Sequence, residues 1–565
     1  MAPDSIVRAE PLPVVRQNLW KEPARELPEG WRPWRTVSVV IPNYNNAATL
    51  DLTMASLAAQ DYPADLLEVV VVDDGSETCY ALPEVRPANA RVVTPATGWG
   101  RANACHTGAC ATTGEIIVWL DSDMIVAADH VRKHVEWYDR LADVITKGEI
   151  HFIAEWDLTP EQVRDAVADG SIGERLTVHG FTRQWVETKY EQTDELNTSR
   201  EDVFSIWTGA SASISREMYE RVGGMDVGLR LGEDSELAYR LWNAGAVVVP
   251  ARDALSWHLG ATNTQRRNEL VTRHDRPYFA QRAPMLHGKR QGEGRTWEVP
   301  LVHAVVTSDV AGIETAARAV EALLASSVHD LRVDLVAPWD TRHDGRRRVL
   351  DDPDASLYWT HEWFRGDPRV RLVTSAPGSV YPAAFRLDVP ARAGLAPQTL
   401  GLMLAEMKRG HHGVLRVPLD ADGSSIDLWR VAALERASRH REPDEPLQSA
   451  VDRVWGIWWA SPDAFPYVDL AAPAPADGAA ADGAPVAAVR AVGKAGGAAS
   501  PAPSEELAAL RTELARAKKT VKALRAEQAA RTGVKGSVRA IGRDVRELAR
   551  AVWRRLTRTT SRGNR

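Results

Sequence analysis

Short apolar runs alternate with segments of helical periodicity over the first 120 residues of the chain. Leu50, Met54 and Leu57 recur at the i, i+4, i+7 spacing of one helix face, and a second helix is expected near residues 101–111. Strands that alternate with helices form parallel sheets covered on both faces, so the pattern predicts an α/β fold. The predicted strands are Val37–Pro42, Leu67–Val72, Arg91–Val93 and Glu115–Leu120.

Polar side chains follow three of these strands at the point where each strand ends. Asn43 follows the first strand, Asp74 follows the second, and Asp121 and Asp123 follow the fourth. Ligands of parallel sheets bind at the carboxyl ends of the strands, so we expect these residues to share one site. Two carboxylates one residue apart suit a divalent cation and the diphosphate that it neutralises. The Asp-x-Asp triplet by itself also occurs often by chance.

Residues 299–440 repeat this order of strand, helix and strand. In the repeat, Gly413–Leu419 leads into Asp420-Ala421-Asp422, as Gly114–Leu120 leads into Asp121-Ser122-Asp123. The pattern predicts a diverged second copy of the first domain. Because the second copy lacks the acidic turn that contains Asp74, we expect it to have a structural or acceptor-holding role.

The last hundred residues have three simpler patterns. Residues 471–503 are Ala, Pro and Gly with little else, which predicts a linker. Residues 504–530 have a heptad seam, which predicts either a coiled coil that joins copies of the chain or a solvated single helix. Residues 531–565 predict a basic amphipathic helix, which would lie on an anionic membrane surface or pack against protein.

Composition narrows the class of protein. The net charge of −7 divides into +9 over residues 531–565 and −16 over the rest, and an acidic body without a base-reading module argues against nucleic-acid binding. A length of 565 residues predicts two or three domains, and three cysteines fit a reducing compartment. Because no signal core and no run of about 18 apolar residues is present, we expect a cytoplasmic protein, with peripheral contact to the inner face of the plasma membrane through the tail.

The ordered motifs resemble those of family-2 glycosyltransferases, which have the GT-A fold and transfer a sugar from a nucleotide-sugar donor. The resemblance covers about residues 37–265. It implies an irregular arm over 1–36, a GT-A catalytic domain over 37–290 and a diverged GT-A-like domain over 296–470. The motifs are Val37-Ser38-Val39-Val40-Ile41-Pro42-Asn43-Tyr44-Asn45, Val70-Val71-Val72-Asp73-Asp74-Gly75-Ser76, Leu120-Asp121-Ser122-Asp123 and Gly232-Glu233-Asp234-Ser235-Glu236-Leu237.

On the donor side, the resemblance implies a nucleotide site. Pro42, Asn43 and Tyr44 would wrap the nucleoside, and Asp74 would accept a hydrogen bond from the base. A carboxylate at that position can accept from the imide N–H of uracil, which favours UDP. Arg101 stands where the family has a lysine and would contact a phosphate or the ribose.

The resemblance also implies a metal site beside the nucleotide. Asp123 would ligate Mg²⁺ or Mn²⁺, hard cations that prefer oxygen ligands. His258 would be a further ligand, although a lone histidine is more often structural. Asp121 would touch the ribose or the donor sugar.

On the acceptor side, the resemblance implies that Asp234 is the general base, with Glu233 as a supporting acid. Acids in the first turn of a helix also favour the helix dipole without any catalytic role, so that alternative stays open. Trp207 and Gly209 lie in the segment that precedes this motif and would contact the acceptor. A core position is the alternative for Trp207.

The implied activity is sugar transfer from a UDP-sugar to a glycan, polyol-phosphate or lipid-linked acceptor. Inversion is the default of the family, whereas the acidic motif is also similar to that of the retaining polypeptide N-acetylgalactosaminyltransferases. A catalytically inactive scaffold that binds glycans or partners is the alternative from a different functional class.

Overall fold

The structure, a computed structural model, describes residues 11–177, 184–286, 290, 295–343, 345–419 and 423–470. The linker, coiled-coil and basic-helix predictions for 471–565 lie outside the described residues, as does the triplet Asp420-Ala421-Asp422. The predicted oligomer and membrane contacts depend on that tail and stay predictions. Every helix in the described part of the chain is too short or too polar to cross a bilayer.

An N-terminal lobe over residues 37–282 is built on a mixed sheet of eight strands, counted among the described residues. The strands are β1 (Val37–Asn43), β2 (Leu67–Asp73), β3 (Ala90–Val93), β4 (Ile116–Leu120), β5 (Met124–Val126), β6 (Val144–Ile153), β7 (Ser211–Ser215) and β8 (Val247–Leu259). The helices are α1 (Ala47–Ala58), α2 (Arg101–Cys110), α3 (His130–Val135), α4 (Pro160–Ala168), α5 (Ile172–Arg175), α6 (Gln184–Gln192), α7 (Arg216–Arg221), α8 (Glu233–Asn243) and α9 (Asn263–Arg282).

The strand order in this lobe is β3-β2-β1-β4-β7-β6-β8-β5. Strands β3, β2, β1 and β4 run parallel to one another, which confirms the parallel α/β half predicted from the alternating pattern. The other half is mixed, because β7 is antiparallel to both β4 and β6, and β5 is antiparallel to β8. The carboxyl ends of β1, β2 and β4 therefore meet at one edge of the sheet.

Burial on both faces explains why the central strands are continuous apolar runs. All five residues of β4 are buried. Ile117 and Trp119 enter one hydrophobic cluster, whereas Val118 and Leu120 enter the cluster on the opposite face. Successive side chains of a strand point to opposite faces, so a strand covered on both sides has no position for a polar residue until it ends. The acids at 121 and 123 mark that end.

A C-terminal lobe over residues 302–469 has a second sheet. The strands of this lobe are β9 (Val302–Thr307), β10 (Leu331–Val336), β11 (Val370–Val373), β12 (Phe385–Pro390), β13 (Ala393–Leu395), β14 (Val414–Pro418), β15 (Ser425–Arg430), β16 (Ile457–Trp459) and β17 (Tyr467–Asp469). The order of the strands in the second sheet is β11-β10-β9-β12-β15-β14-β16. The helices are α10 (Ile313–Leu324), α11 (Ala355–Phe364), α12 (Thr399–Gly410), α13 (Val431–His440) and α14 (Leu447–Val454).

The order and direction of the strands in the second sheet follow those in the first, which supports the predicted repeat. The alignment that we predicted between the two copies is wrong. Strand β12 is parallel to β9 and antiparallel to β15, as β4 is parallel to β1 and antiparallel to β7. The counterpart of β4 is therefore β12 and not β14, the strand that precedes Asp420. Ala391-Arg392 stands between β12 and β13 where the first lobe has Asp121-Ser122-Asp123. The second lobe thus lacks the paired carboxylates at the equivalent position.

The two lobes share one hydrophobic cluster. Trp242 and Tyr239 from the first lobe belong to the same cluster as Trp429 and Trp455 from the second. Arg436 of α13 is 1% exposed and donates to the carbonyl oxygens of Gly245 and Ala246 in the first lobe, and to those of Val15 and Gln17 in the arm. Burial lowers the pKa of this guanidinium to about 10.

The described part of the N-terminal arm, residues 11–36, has no regular strand or helix and packs on both lobes. Asn18 donates to the carbonyl oxygens of Leu196 and Val248 in the first lobe. The backbone N–H of Gln17 donates to Val454 in the second. The arm therefore ties the lobes together.

We expect Arg436→Ala to lower the midpoint of thermal unfolding strongly. The change leaves four carbonyl oxygens without their donor, and each buried acceptor that loses its partner costs about 1–3 kcal/mol. Arg348→Ala, at a side chain that is 89% exposed, is the matched control and should leave the midpoint unchanged. Equal midpoints for the two variants would contradict the role assigned to Arg436.

Candidate active site at the carboxyl edge of the first sheet

The loops after β1 and β2 are fastened to each other at the edge of the sheet. Asp73 is buried, and its carboxylate accepts from the backbone N–H groups of Ser76 and Tyr80, at 2.8 and 2.6 Å. The N–H of Asp74 donates to the carbonyl oxygen of Asn43 at 2.8 Å. Because Asp73 organises the turn, the side chain of Asp74 is left to face the cleft.

The predicted nucleoside residues lie on the first of these loops. Pro42 is half-buried and Asn43 is buried, whereas the ring of Tyr44 is 61% exposed. Within the described chain, the side-chain oxygen of Asn43 is buried without a hydrogen-bond donor. The exposed ring of Tyr44 is a surface on which a planar aromatic ligand can stack.

A third loop closes on Asp74 from the other side. The N–H of Gly100 donates to Asp74 Oδ2 at 2.6 Å. Trp99, one residue earlier, is 62% exposed, and the guanidinium of Arg230 lies 4.4 Å from the centroid of its ring. Burial raises the pKa of Asp74, while the hydrogen bond from Gly100 and the charge of Arg230 oppose that rise. Trp99 and Arg230 were not predicted from the sequence, because an isolated Trp and an isolated Arg have no distinctive spacing.

The chain turns sharply after β4 and brings Asp123 beside His258. Strand β5 pairs with β8 so that Met124 lies opposite His258, and the N–H of Leu259 donates to the carbonyl oxygen of Asp123 at 2.8 Å. His258 Nε2 lies 3.6 Å from Asp123 Oδ1. The sequence separates these two residues by 135 positions, and the strand pairing brings them together.

Asp121, Asp123 and His258 form a group that fits a divalent cation. One ligand atom from each residue lies within 4.8 Å of the others. His258 Nδ1 donates to the carbonyl oxygen of Gly260 at 3.1 Å, which leaves the Nε2 lone pair directed to the carboxylates. Burial raises the pKa of Asp123 to about 6, the Asp121 charge adds to that rise, and His258 opposes it. Two carboxylates and an imidazole are ligands that Mg²⁺ or Mn²⁺ accepts.

Arg101 connects this group to the acidic motif. Its Nη2 donates to Asp121 Oδ1 at 2.7 Å, and its Nη1 donates to Glu233 Oε1 and to Asp234 Oδ1, both at 2.8 Å. Burial alone would lower the pKa of Arg101, but the three carboxylates raise it well above its usual value. A single guanidinium therefore joins the donor-side and acceptor-side acids.

The acidic residues stand in the first turn of α8. Gly232 precedes the helix with φ of 76°, a left-handed conformation that suits glycine. Glu233 is buried, and burial together with the neighbouring charge of Asp234 raises its pKa, against the effect of Arg101. Asp234 is partly exposed and is the acid of this pair that solvent can reach.

Gly209 lies directly against this cluster. A Cβ at this position would lie 2.7 Å from Asp234 Oδ1 and 2.9 Å from Arg101 Nη2. Trp207, in contrast, is fully buried in the core cluster, so its ring has no face open to a sugar. The stacking role predicted for Trp207 does not fit this position, and the core alternative does.

His106, which occupies a position where the family has asparagine, points away from the cleft. Its Nδ1 lies 2.9 Å from the hydroxyl of Tyr219. Cys105 is buried, and Cys110 Sγ lies 3.6 Å from His106 Nε2. Among the described residues, these three side chains do not belong to any group with metal-binding geometry.

Comparisons with known proteins identify the same region. A family model described as "Glycosyl transferase family 2" matches residues 38–220. Validoxylamine A glucosyltransferase of Streptomyces hygroscopicus subsp. jinggangensis is 28% identical over 257 residues, which cover 42% of this chain and 58% of that protein. Chondroitin synthase of Escherichia coli is 23% identical over 385 residues, which cover 62% of this chain and 52% of that protein. This chain thus spans a little over half the length of these curated relatives.

A search of solved structures found the mannosyltransferase PcManGT from Pyrobaculum calidifontis in complex with GDP-Man and Mn²⁺. The two chains are 20% identical with a TM-score of 0.30, and the match covers 50% of this chain and 70% of that one. A likeness of this size carries no argument about the site. The family match lies within the predicted GT-A domain, and the sheet topology shows an α/β fold followed by a second α/β domain.

We expect Gly209→Ala to reduce the turnover of a nucleotide sugar by about 10²-fold, because a displacement of about 1 Å at a reacting group costs that much. The new methyl group would push Asp234 away from Arg101. Gly366→Ala is the matched control, since a Cβ there meets nothing within 4 Å. Turnover by Gly209→Ala equal to that of the control would contradict the contact.

Proposed function

We propose, from the premise that residues 38–220 belong to glycosyl transferase family 2, that this chain is a metal-dependent glycosyltransferase. It would move a sugar from a nucleotide-sugar donor to a hydroxyl group of a glycan, polyol-phosphate or lipid-linked acceptor. The observation that supports the proposal is that three sets of residues converge on one edge of the sheet. These sets are Asp74, the group of Asp121, Asp123 and His258, and the pair of Glu233 and Asp234.

The donor nucleotide would lie over Asp74. The side chain of Asp74 would accept from the base, which supports UDP as the nucleotide. Tyr44 follows Asn43, whose carbonyl accepts from the Asp74 N–H, and Trp99 precedes Gly100, whose N–H donates to the Asp74 side chain. Both exposed rings are therefore one residue away from a hydrogen-bond partner of Asp74, and both would offer a stacking surface to the base.

Asp121, Asp123 and His258 would hold the cation. When bound, Mg²⁺ or Mn²⁺ neutralises charge that develops on the leaving diphosphate. The hydrogen bond from His258 to Gly260 fixes the imidazole in the orientation that presents Nε2 to this site.

Asp234 would be the general base for the acceptor. Its carboxylate would take the proton of the acceptor hydroxyl as the hydroxyl oxygen bonds to the anomeric carbon. The bond from that carbon to the diphosphate oxygen breaks, and the nucleoside diphosphate leaves with the electron pair. Attack on the face opposite the leaving group inverts the configuration. Arg101 would hold Asp234 in place through the contact at 2.8 Å.

Replacement of the acids tests whether the chain is an enzyme. We expect wild-type protein with Mn²⁺ to hydrolyse a UDP-sugar slowly and to bind UDP. Asp123→Asn should abolish both, whereas Asp234→Asn should retain UDP binding and lose at least about 10²-fold in turnover, the size of a general-base contribution. Asp253→Asn, at an exposed acid on β8, is the control. Wild-type protein that neither binds UDP with Mn²⁺ nor turns over any nucleotide sugar would favour the inactive-scaffold alternative.

Trp99 gives a separate test of the nucleotide position. We expect Trp99→Ala to weaken the binding of UDP with Mn²⁺ by about tenfold, as loss of one base–aromatic stack does. Isothermal titration calorimetry measures the change. Trp359→Ala, at a ring that is 52% exposed on the second lobe, should leave the affinity unchanged. An unchanged affinity for Trp99→Ala would remove Trp99 from the nucleotide site.

A further inference from the structure

Helix α8 has its two ends in different environments. Its first turn carries Glu233 and Asp234 in the charged cluster of the first lobe. Its last turn, and the residues that follow it, are held by the second lobe. The inference below rests on the function proposed for Asp234.

Two side chains of the helix donate to one turn of the second lobe. Asn243 is completely buried, and its amide nitrogen donates to the carbonyl oxygens of Pro382 and Ala383, both at 2.9 Å. The hydroxyl of Tyr239, one turn earlier and also completely buried, donates to the carbonyl of Pro382 at 2.7 Å. These three hydrogen bonds fix both the rotation and the axial position of the helix.

The carbonyl groups that follow the helix are capped from the same lobe. Arg439 donates to the oxygen of Ala244 at 2.5 Å, and Arg436 donates to that of Gly245 at 2.8 Å. Cations at a helix C-terminus satisfy its unpaired carbonyls and stabilise its dipole. Gly245 has φ of 93°, and a Cβ there would lie 2.9 Å from the backbone nitrogen of Arg436. The lobes are thus in close contact at this end of α8.

The first turn of α8 depends on these contacts at the C-terminal end to hold it in place. Glu233 and Asp234 repel each other across adjacent positions, and in the described part of the chain Arg101 is the one guanidinium that bridges both of them. A helix of 11 residues is about 16 Å long, so a tilt of about 4° about its C-terminus moves the first turn by about 1 Å. A displacement of that size at a catalytic group costs about 10²-fold in rate.

We propose that the second lobe serves as a clamp on α8, and that Asn243 and Tyr239 are positioning residues for Asp234. The second lobe has no paired carboxylates where the first lobe has its donor acids, as the placement of Ala391 and Arg392 shows. Its contribution to transfer is to set the place of the base in the first lobe. The contacts that do this lie towards the C-terminal end of α8, away from the charged cluster at its first turn.

The test uses the full chain with Asn243→Ala and Tyr239→Phe, singly and together. We expect UDP–Mn²⁺ affinity to change by less than about twofold and kcat for UDP-sugar hydrolysis to fall by about tenfold or more. In an Asp234→Asn background the same changes should lower kcat no further, because their effect passes through Asp234. Arg200→Ala is the matched control, since it removes a bond to the carbonyl of Arg409 across the same lobe interface but away from α8.

Hydrogen exchange gives a readout that does not depend on activity. Amides of residues 236–239, the first with intrahelical acceptors, should exchange about tenfold faster in Asn243→Ala than in wild type, while Arg200→Ala leaves them unchanged. Unchanged exchange in this turn would overturn the clamp, as would an equal loss of kcat in the Asp234→Asn background. Absence of UDP binding and turnover in wild type, with the exchange result intact, would instead refute the proposed function and leave the clamp as a structural device.

Discussion

The guanidinium of Arg101 is the contact on which the candidate site depends. Three carboxylates, from the loop after β4 and from the first turn of α8, converge on it within hydrogen-bond distance. Without this cation, the acids would repel one another in a partly buried cleft, and burial would favour their neutral forms. With it, the three carboxylates share one cation in the same cleft. Arg101 itself is held in place because α2 begins at this residue, directly after the Gly-Trp-Gly loop.

The same constraint explains why the second lobe matters to the first. A cluster of like charges at the start of a helix does not locate that helix well, because the acids repel one another while they share a single guanidinium. The second lobe supplies directional contacts instead: buried hydrogen bonds from Asn243 and Tyr239, and arginine caps on the carbonyls that follow.

Much of the candidate site could be predicted from local pattern. Buried strands end where polar residues begin, so Asn43, Asp74, Asp121 and Asp123 were placed at one edge of a parallel sheet, and the structure brings them there. Periodicity did not show which strands of the two lobes correspond to each other. Strand β12 alternates apolar and polar residues, whereas β14 is closer to the apolar run of β4, so only strand pairing shows that β12 is the counterpart of β4. The Asp-x-Asp triplet after β14 led to the wrong alignment of the two copies, because the triplet alone does not show which strand of the sheet precedes it.

Sequence by itself determined the α/β class, the existence of the strands in the parallel half, and the residue types that follow them, because burial and hydrogen-bond satisfaction act locally along each strand. Tertiary structure alone decided which acids share the Arg101 guanidinium, that Trp207 fills the core, and that Gly209 leaves room for Asp234. It also brought His258 beside Asp123, as the resemblance implied, through the pairing of β5 with β8. These facts depend on pairings between segments separated by tens to hundreds of residues. Their physical origin is the antiparallel half of the first sheet and the shared core of the two lobes, neither of which has a local signature in the chain.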